Sequence, residues 1–350
     1  MTLSQMEKEA LEAPQLIAKQ LTNNQAVLEK LSARLQTTMP SLAMTIARGS
    51  SDHAATFAKY LLEARAGVIT ASAAPSVFTL YRKQLRVKNC LVIGISQSGA
   101  SPDVAEMLTA ARQHGAITVA FVNQTDSALA SAAEYVVPLW AGSEKAVAAT
   151  KTYLATLSAL IQFIALFTRD AVLLKILSHL PAALEKAAKM DWSSAIEIYQ
   201  HCSSTFVVGR GYGYPIAQEA ALKFKETAKI HAEAFSGAEL LHGPFALVEK
   251  NFPLFLFAQQ DESLTGMLEI SARMKKLGAT VLLALPQKQQ EKNTIQDAAS
   301  IVLPLPTALH PVCDPLLIIQ AFYVMMARLS LARGLNPDAP LNLTKVTQTW

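Results

Sequence analysis

Hydroxyl and amide side chains are concentrated where one apolar run of the chain ends. The stretch VIGISQSGAS contains Ser96, Gln97, Ser98 and Ser101, and a helix-like segment follows it. At the end of a strand in a parallel α/β sheet, hydroxyls, backbone N–H groups and a helix N-terminus converge, which favours an anion such as phosphate. Gly99 is expected to let that anion approach the backbone closely. We predict a phosphate site at this turn.

A second turn of the same kind lies earlier, in RGSSDH at 48–53, where Ser50 and Ser51 can complete the phosphate site. A solvated serine-rich loop would carry the same letters, so the motif alone does not decide. GISQS misses the nucleophile elbow G-x-S-x-G, and the sequence contains no P-loop G-x-x-x-x-G-K-[ST], which argues against a serine hydrolase and a nucleotide site.

Acidic and basic side chains recur at helical spacing in YPIAQEAALKFKE. Glu219, Lys223 and Glu226 follow one another at intervals of four and three, which places them on one helix face. Their neighbours are mostly Ala, Leu and Phe, so a partly buried acid–base cluster is expected; the alternative is an exposed salt-bridged stripe. His242, in ELLHGP, is an acid–base candidate or a solvated loop residue. HAE at 231–233 lacks the P-C-x-x-C of zinc deaminases, so no metal is expected.

The segments that must hold these residues occur twice. TIARGSSDHAATFAKYLLE resembles FVVGRGYGYPIAQEAALKFKE, and Gly49 and Gly211 in them are 162 residues apart. Two later pairs keep nearly the same offset: AARQHGAITVAFV with ARMKKLGATVLLAL, and AAEYVVPL with AASIVLPL. Ordered matches at one offset predict two copies of one domain.

Each copy alternates short Val-, Ile- and Leu-rich runs with helical segments, which predicts an α/β doubly wound parallel sheet covered by helices on both faces. The first domain is expected over 1–190, with an N-terminal helix and the phosphate-binding loops. The second is expected over 191–350, with the acid–base residues and a Pro-rich C-terminal tail. Helices from about Lys151 to Trp192 are expected to link the copies. LFAQQDES in the second copy replaces IGISQSGAS, which predicts one phosphate site per chain.

Composition narrows the class of partner. Of the 350 residues, 51% are hydrophobic and 17% charged, and the net charge of +4 comes from scattered basic residues, so a small ligand is expected and nucleic acid is not. Two apolar stretches, around Gln162 and Gln320, are interrupted by polar residues and predict buried helices, with no membrane span. Three cysteines without paired spacing and an N-terminus without a signal core predict a cytoplasmic protein.

Together these segments resemble the sugar isomerase (SIS) superfamily, specifically the isomerase half of glucosamine-6-phosphate synthase and its deaminase relatives. The resemblance extends over nearly the whole chain. It includes MEKEALEAP, RGSSDH, ISQSGASPD, AGSEKAVAATK, GRGYGYPIAQEAALKFKE, IHAEAFSGAELLHGP and PLNLTKV. It implies two tandem SIS domains of flavodoxin-like α/β/α type, a hexose or hexosamine 6-phosphate as ligand, and no cofactor.

The resemblance also assigns roles to residues. In that family the SQS segment and the preceding Gly-Ser/Thr-Ser turn bind the sugar phosphate; the matching positions are Ser51, Ser96, Gln97, Ser98 and Ser101. The base that moves a proton between C1 and C2 matches Glu226, the ring-opening His matches His242, and the C-terminal Lys matches Lys345. The secondary candidates are Ser50, Val147, Glu219 and Lys223. In the synthase the ring-opening His comes from the partner subunit, which implies a homodimer with His242 reaching the partner's site.

Departures from the family pattern narrow the expected reaction. The synthase carries an N-terminal glutaminase domain with a Cys directly after Met, whereas this chain begins Met1-Thr2 and enters the isomerase region at once, so no ammonia source of its own is expected. The family's SGET is SGAS here, and the usual Arg of the tail is Leu341. We therefore expect conversion of glucosamine 6-phosphate to fructose 6-phosphate and ammonia. A fructosamine-6-phosphate deglycase, a galactosamine-6-phosphate deaminase/isomerase and a non-catalytic sugar-phosphate sensor stay open.

Overall fold

The first five strands form one parallel sheet in the computed structural model, which describes residues 3–83, 85–286, 295 and 297–345. These strands are β1 Ala43–Ile46, β2 Thr70–Ser72, β3 Leu91–Ser96, β4 Ile117–Val122 and β5 Tyr135–Pro138. Their order is β2-β1-β3-β4-β5, and every pairing is parallel. All residues of β3 and β4 are buried, because helices cover both faces of a doubly wound sheet.

The second sheet repeats the first. Its strands are β6 Ser204–Gly209, β7 His231–Ser236, β8 Pro253–Phe257, β9 Thr280–Ala284 and β10 Ile301–Leu303. Read from β7, the order is β7-β6-β8-β9-β10, again with parallel pairings throughout. Each strand therefore takes the place of the strand five earlier, and the predicted duplication of an α/β doubly wound domain is confirmed.

Helices separate the strands and precede and follow the sheets. They are α1 Gln5–Asn23, α2 Gln25–Thr37, α3 Ser50–Ala66, α4 Pro75–Thr79, α5 Pro102–Gln113, α6 Ala128–Ala132, α7 Lys151–Phe167, α8 Ala171–Leu177, α9 Leu180–Ala187, α10 Ser193–Tyr199, α11 Tyr214–Ala228, α12 Gly237–Leu240, α13 Leu264–Lys276 and α14 Asp314–Ala332. The helices predicted to link the copies are α7, α8 and α9. The predicted tail after α14 is described as far as Lys345, and its last residues lie outside the described part.

The chain packs into two compact units that interleave along the sequence. The first unit comprises Gln15–Glu144, Lys151–Ser178 and the described residues after Leu343, and it contains the first sheet. The second comprises the described residues up to Pro14, Lys145–Thr150 and His179–Leu343, and it contains the second sheet. These are units of packing, whereas the division predicted at residue 190 follows the repeat.

Two apolar helices form cores rather than surfaces. In the first unit α7 is buried along nearly its whole length and lies against α2 and α3. In the second unit α14 packs against α11. By length and composition α14 qualifies as a membrane span, but 83% of its most apolar window is buried inside the structure. That degree of burial is typical of a core helix.

Candidate active site

The predicted phosphate turn follows β3 in the first unit, and its serines organise the backbone. Ser96 Oγ accepts a hydrogen bond from the Gly99 N–H at 2.9 Å, and Ser98 Oγ accepts one from the Ala100 N–H at 3.3 Å. A hydroxyl that accepts such a bond still has its own proton to donate. The serines can therefore shape the turn and also donate to an anion.

Gly99 has a steric role that the sequence did not reveal. It adopts a left-handed conformation with φ +62°, and a Cβ built on it would meet Ser127 Oγ at 2.1 Å. Its missing side chain makes room for Ser127, and the expectation that Gly99 also gives an anion access to the backbone stays a prediction. The Gly99 carbonyl also accepts the Leu129 N–H at 3.1 Å, which anchors the turn to α6.

Two helices begin at the same edge of the first sheet. Gly49, with φ +55°, precedes α3, whose first residues are Ser50 and Ser51. Ser101 is the N-cap of α5, and its hydroxyl makes no capping hydrogen bond. Because β1 and β3 are neighbours, both N-termini lie beyond the carboxyl ends of adjacent strands. The predicted phosphate residues of both turns therefore share one edge of one sheet, with two helix dipoles that favour negative charge.

The corresponding turn of the second unit is filled by its own carboxylate. Asp261 Oδ1 accepts hydrogen bonds from Ser263 N–H at 2.8 Å and Ser263 Oγ at 2.5 Å, and its Oδ2 accepts one from Gln259 Nε2 at 2.7 Å. An internal anion thus occupies the donors of this turn. This arrangement supports the prediction of one phosphate site per chain.

The acid–base cluster on α11 is buried, as the apolar neighbours predict. Lys223 Nζ lies 3.2 Å from Glu219 Oε1 and 2.6 Å from Glu226 Oε2. The side chains of Lys223 and Glu219 are 1% and 0% exposed, and that of Glu226 is 21% exposed. The alternative of an exposed salt-bridged stripe is therefore wrong. One ammonium ion bridges a buried carboxylate and a carboxylate that reaches solvent.

Charge balance determines the protonation of this cluster. Burial alone would lower the pKa of Lys223, but the carboxylates of Glu219 and Glu226 outweigh it and raise that pKa above its usual value. The Tyr323 hydroxyl donates to Glu219 Oε1 at 3.0 Å from α14. Lys223 therefore stays protonated at neutral pH and holds Glu226 in one position.

Glu226 opens onto a cavity of about 510 Å³ in the second unit. The C-terminal part of α11 and the chain after α14 line it; the lining residues are Leu222, Lys225, Glu226, Thr227, Lys229, Gly334, Leu335, Asn336, Ala339, Pro340, Leu341 and Leu343. Pockets of this size bind small molecules. A carboxylate fixed from behind by a buried cation and open in front to a cavity has the geometry of a general base.

His242 stands apart from the cluster. It lies in an exposed turn after α12, and among the described residues it does not line the cavity at Glu226. Its predicted action in a partner's site stays a prediction.

Lys345 is paired within the first unit. Its Nζ lies 3.4 Å from Oε2 of Glu144, a carboxylate that is 0% exposed and whose Oε1 accepts the Thr152 N–H at 3.3 Å at the start of α7. Val147, in the second unit, donates its N–H to the Asp338 carbonyl at 3.0 Å.

Several residues that hold these groups escaped the sequence analysis. Asp338 accepts the Gln5 and Met6 N–H groups at 2.9 and 2.8 Å, so it ties the chain after α14 to the first turn of α1. The sequence offers a weak signal for two of them. Glu144 lies in the segment AGSEKAVAATK, which resembles the family, and Tyr323 places a hydroxyl that needs a hydrogen-bond partner inside an apolar run. In the described part of the chain, no group of three or more His, Cys, Asp or Glu side chains is arranged to hold a metal ion.

Fold and site together define a class: a duplicated parallel α/β protein with a serine-lined turn in one copy and a buried cluster of acidic and basic side chains in the other. The SIS domain model matches residues 43–166 and 198–332, and the chain belongs to the SIS domain family. Glutamine–fructose-6-phosphate aminotransferase (isomerizing) of Aquifex aeolicus is 33% identical over 86% of this chain and 51% of its own length. The chain thus spans about half of that curated relative.

Two solved structures are similar along nearly the whole chain. A candidate phosphosugar isomerase from Silicibacter pomeroyi DSS-3 is 35% identical with a TM-score of 0.89, covering 96% of this chain and 100% of that one. The C-terminal domain of glucosamine-fructose-6-phosphate aminotransferase from Francisella tularensis is 28% identical with a TM-score of 0.86, covering 96% and 98%. The recognition of the SIS superfamily and the expected fold are confirmed.

Proposed function

We propose that this chain is a phosphosugar isomerase that acts as a deaminase, converting glucosamine 6-phosphate and water to fructose 6-phosphate and ammonia. The observation that carries the proposal is the buried Glu219–Lys223–Glu226 cluster with Glu226 open to a cavity. The similarity to glutamine–fructose-6-phosphate aminotransferases supports a hexosamine phosphate as substrate. The free cysteines fit the cytoplasm as compartment.

The reaction needs a proton moved between neighbouring carbons of an open-chain sugar. His242 opens the ring by proton transfer at the ring oxygen. Glu226 takes the C2 proton and returns it to C1 through an enolamine, which leaves an imine at C2 and a hydroxymethyl group at C1. Water then adds to C2 and ammonia departs. Each proton transfer of this kind contributes typically about 10²- to 10⁴-fold to a rate.

The remaining predicted residues bind and enclose the sugar. The phosphate is held by Ser51, Ser96, Gln97, Ser98 and Ser101, with Ser50 and the Val147 backbone as further contacts. Lys345, on the C-terminal tail, closes over the carbonyl of the open-chain sugar, and this closure excludes water from the reactive carbons. During this closure Lys345 leaves its partner Glu144 and binds the substrate instead.

The test is turnover of glucosamine 6-phosphate in chelator-treated buffer, with ammonia and fructose 6-phosphate measured together. Equal release of both products is expected, and Glu226→Gln is expected to lower kcat by about 10²- to 10⁴-fold. Glu185→Gln is the matched control, because Glu185 forms an exposed pair with Lys189 four residues on, at 2.7 Å. It is expected to retain wild-type turnover.

Other outcomes separate the alternatives. Release of an amino acid from a fructosamine 6-phosphate, without turnover of glucosamine 6-phosphate, would establish the deglycase. Selective turnover of galactosamine 6-phosphate would establish the galactosamine enzyme. Binding of sugar phosphates without turnover of any of the three, unchanged in Glu226→Gln, would establish a sensor.

The proposed homodimer has its own test. If His242 acts in the partner's site, mixing inactive Glu226→Gln chains with inactive His242→Asn chains restores activity, because a mixed dimer contains one site with both wild-type residues. Mixtures that stay inactive after verified exchange of subunits would contradict action across subunits.

A further inference from the structure

We propose that Arg48 and Asp103 form a brace that fixes the spacing of the two phosphate-binding turns, and so act as positioning residues for the substrate phosphate. This inference rests on the proposed function and deepens it. Both residues lie in the first unit, one beside each turn.

The contact between Arg48 and Asp103 converges on one carboxylate oxygen, and only the Asp103 side chain is fully buried. Arg48 donates from Nε and Nη2 to Asp103 Oδ2, at 3.0 and 2.8 Å. Asp103 Oδ1 accepts the N–H of Val104 at 2.9 Å, inside the first turn of α5. The Asp103 side chain is 0% exposed and that of Arg48 is 49% exposed. Because a buried carboxylate is costly without a cation, Asp103 holds the Arg48 guanidinium in one place at the edge of the turn.

The brace lies where the sheet no longer fixes the spacing. The pairing of β1 with β3 ends at Ile46 and Gly94, and both turns continue beyond that point. Arg48 stands directly before Gly49 and Ser50, and Asp103 stands two residues after Ser101. The guanidinium therefore connects the start of α3 to the start of α5 across the place where a phosphate would sit. Because both bonds converge on one buried carboxylate oxygen, the charge-assisted contact fixes the distance between the two turns and resists their opening.

The second copy supports the assignment by contrast. Positions 162 residues after Arg48 and Asp103 are Arg210 and Thr265, and both are exposed. The second copy thus keeps the arginine but has no carboxylate at the Asp103 position. The same copy fills its turn with Asp261 and needs no spacing for a ligand. The Arg48–Asp103 pair therefore occurs in the copy that has the serine-rich turn.

A double-mutant cycle on the full chain tests the brace. Arg48→Met, Asp103→Asn and the double variant are each expected to raise the KM for glucosamine 6-phosphate about tenfold, with the double no worse than either single variant. The expected change in kcat is below about twofold, because the brace acts on phosphate binding and not on proton transfer. Arg65→Met is the control, since Arg65 pairs with Asp170 in the same unit away from both turns.

Further readouts keep the brace falsifiable. Arg48→Met removes only a half-exposed side chain and is expected to fold even if Asp103→Asn does not. Unchanged KM in Arg48→Met or purely additive effects would each overturn the brace, while an active wild type leaves the proposed function standing. If the wild type binds fructose 6-phosphate without turnover, the cycle is run on that Kd. A wild type that binds no sugar phosphate overturns both.

Discussion

The turns after β3 and β8 have the same backbone arrangement but side chains of different charge. Ile46 pairs with Gly94 in the first sheet and Val208 with Leu256 in the second, an offset of 162 residues in both strands. The helices that follow, α5 and α13, begin at the same offset. The first turn presents neutral hydroxyls, whereas in the second Asp261 stands at the position of Gly99 and takes the donors itself.

In the helices that follow the first strand of each copy, the charged residues lie in the second copy and the neutral ones in the first. Glu219 and Lys223 of α11 correspond, at the same offset, to Phe57 and Leu61 of α3. Phe57 is 0% and Leu61 1% exposed, so that face is ordinary core in the first copy. In the second copy it carries a buried ion cluster. The serine-rich turn thus lies in one copy and the buried ion cluster in the other, while both copies keep one fold.

The largest expected effect comes from making α11 resemble α3. Lys223→Leu leaves two carboxylates without their cation, and removal of one partner of a buried ion pair costs about 3–5 kcal/mol. The pKa of Lys223 is raised in the folded protein, so its stabilising contribution is present across neutral pH and is lost only as pH rises through the folded pKa. Denaturant unfolding at pH 7 measures this loss.

Two variants bracket that result. Lys189→Met removes an exposed helical pair and is expected to change the free energy of unfolding by less than about 0.5 kcal/mol. The double variant Glu219→Leu with Lys223→Leu removes both buried charges and is expected to recover most of the stability but none of the activity. If the single variant Lys223→Leu is as stable as the wild type, the Lys223 ammonium does not stabilise the two carboxylates in the folded protein, and the prediction is wrong.

Most of the fold follows from sequence pattern because it depends on local regularities. Apolar runs of strand length, alternation with helices and the constant offset predict both parallel sheets, and the spacing of Glu219, Lys223 and Glu226 predicts their shared face. Burial of that face also follows, from its Ala, Leu and Phe neighbours. These inferences need only periodicity and composition.

The contacts that complete the site depend on distant parts of the chain. Arg48 and Asp103 are 55 residues apart, and Tyr323 lies 104 residues from Glu219. No local pattern marks either pair. The steric need for glycine at position 99 is equally non-local, since its neighbour Ser127 lies at the start of α6. Sequence therefore supplies the reactive groups, whereas the groups that orient them emerge only from the folded chain.

A carboxylate placed in the first turn should make it behave like the second. Ser101→Asp keeps a residue that caps helices well, so folding is expected to be normal. Two like unit charges at about 4 Å repel by about 4 kcal/mol at an effective dielectric of about 20, and after screening we expect sugar-phosphate binding to weaken about 100-fold. Isothermal titration with fructose 6-phosphate measures it.

Ser101→Asn is the matched control, because it caps the helix equally well without the charge. It is expected to weaken binding far less than Ser101→Asp. Equal losses in both variants would mean that the hydroxyl itself, and not the sign of the charge in the turn, distinguishes the two copies.

The smallest expected effect concerns Asp314 at the start of α14, whose Oδ2 accepts a hydrogen bond from the Gln260 N–H of the second turn at 3.4 Å. Burial raises the pKa of Asp314 to about 6, Asp261 adds repulsion, and backbone N–H groups of Leu309, Gln260 and His310 oppose the rise. Because this folded pKa lies above the usual 3.8, ionisation of Asp314 destabilises the fold, and stability falls as pH rises from about 4 to about 6. Asp314→Asn removes that slope, so its stability relative to wild type is expected to improve by about 1 kcal/mol between pH 5 and pH 7. Asp297→Asn, at an exposed position of the same unit, is the control. A stability difference between Asp314→Asn and wild type that does not change with pH would show that ionisation of Asp314 does not destabilise the fold.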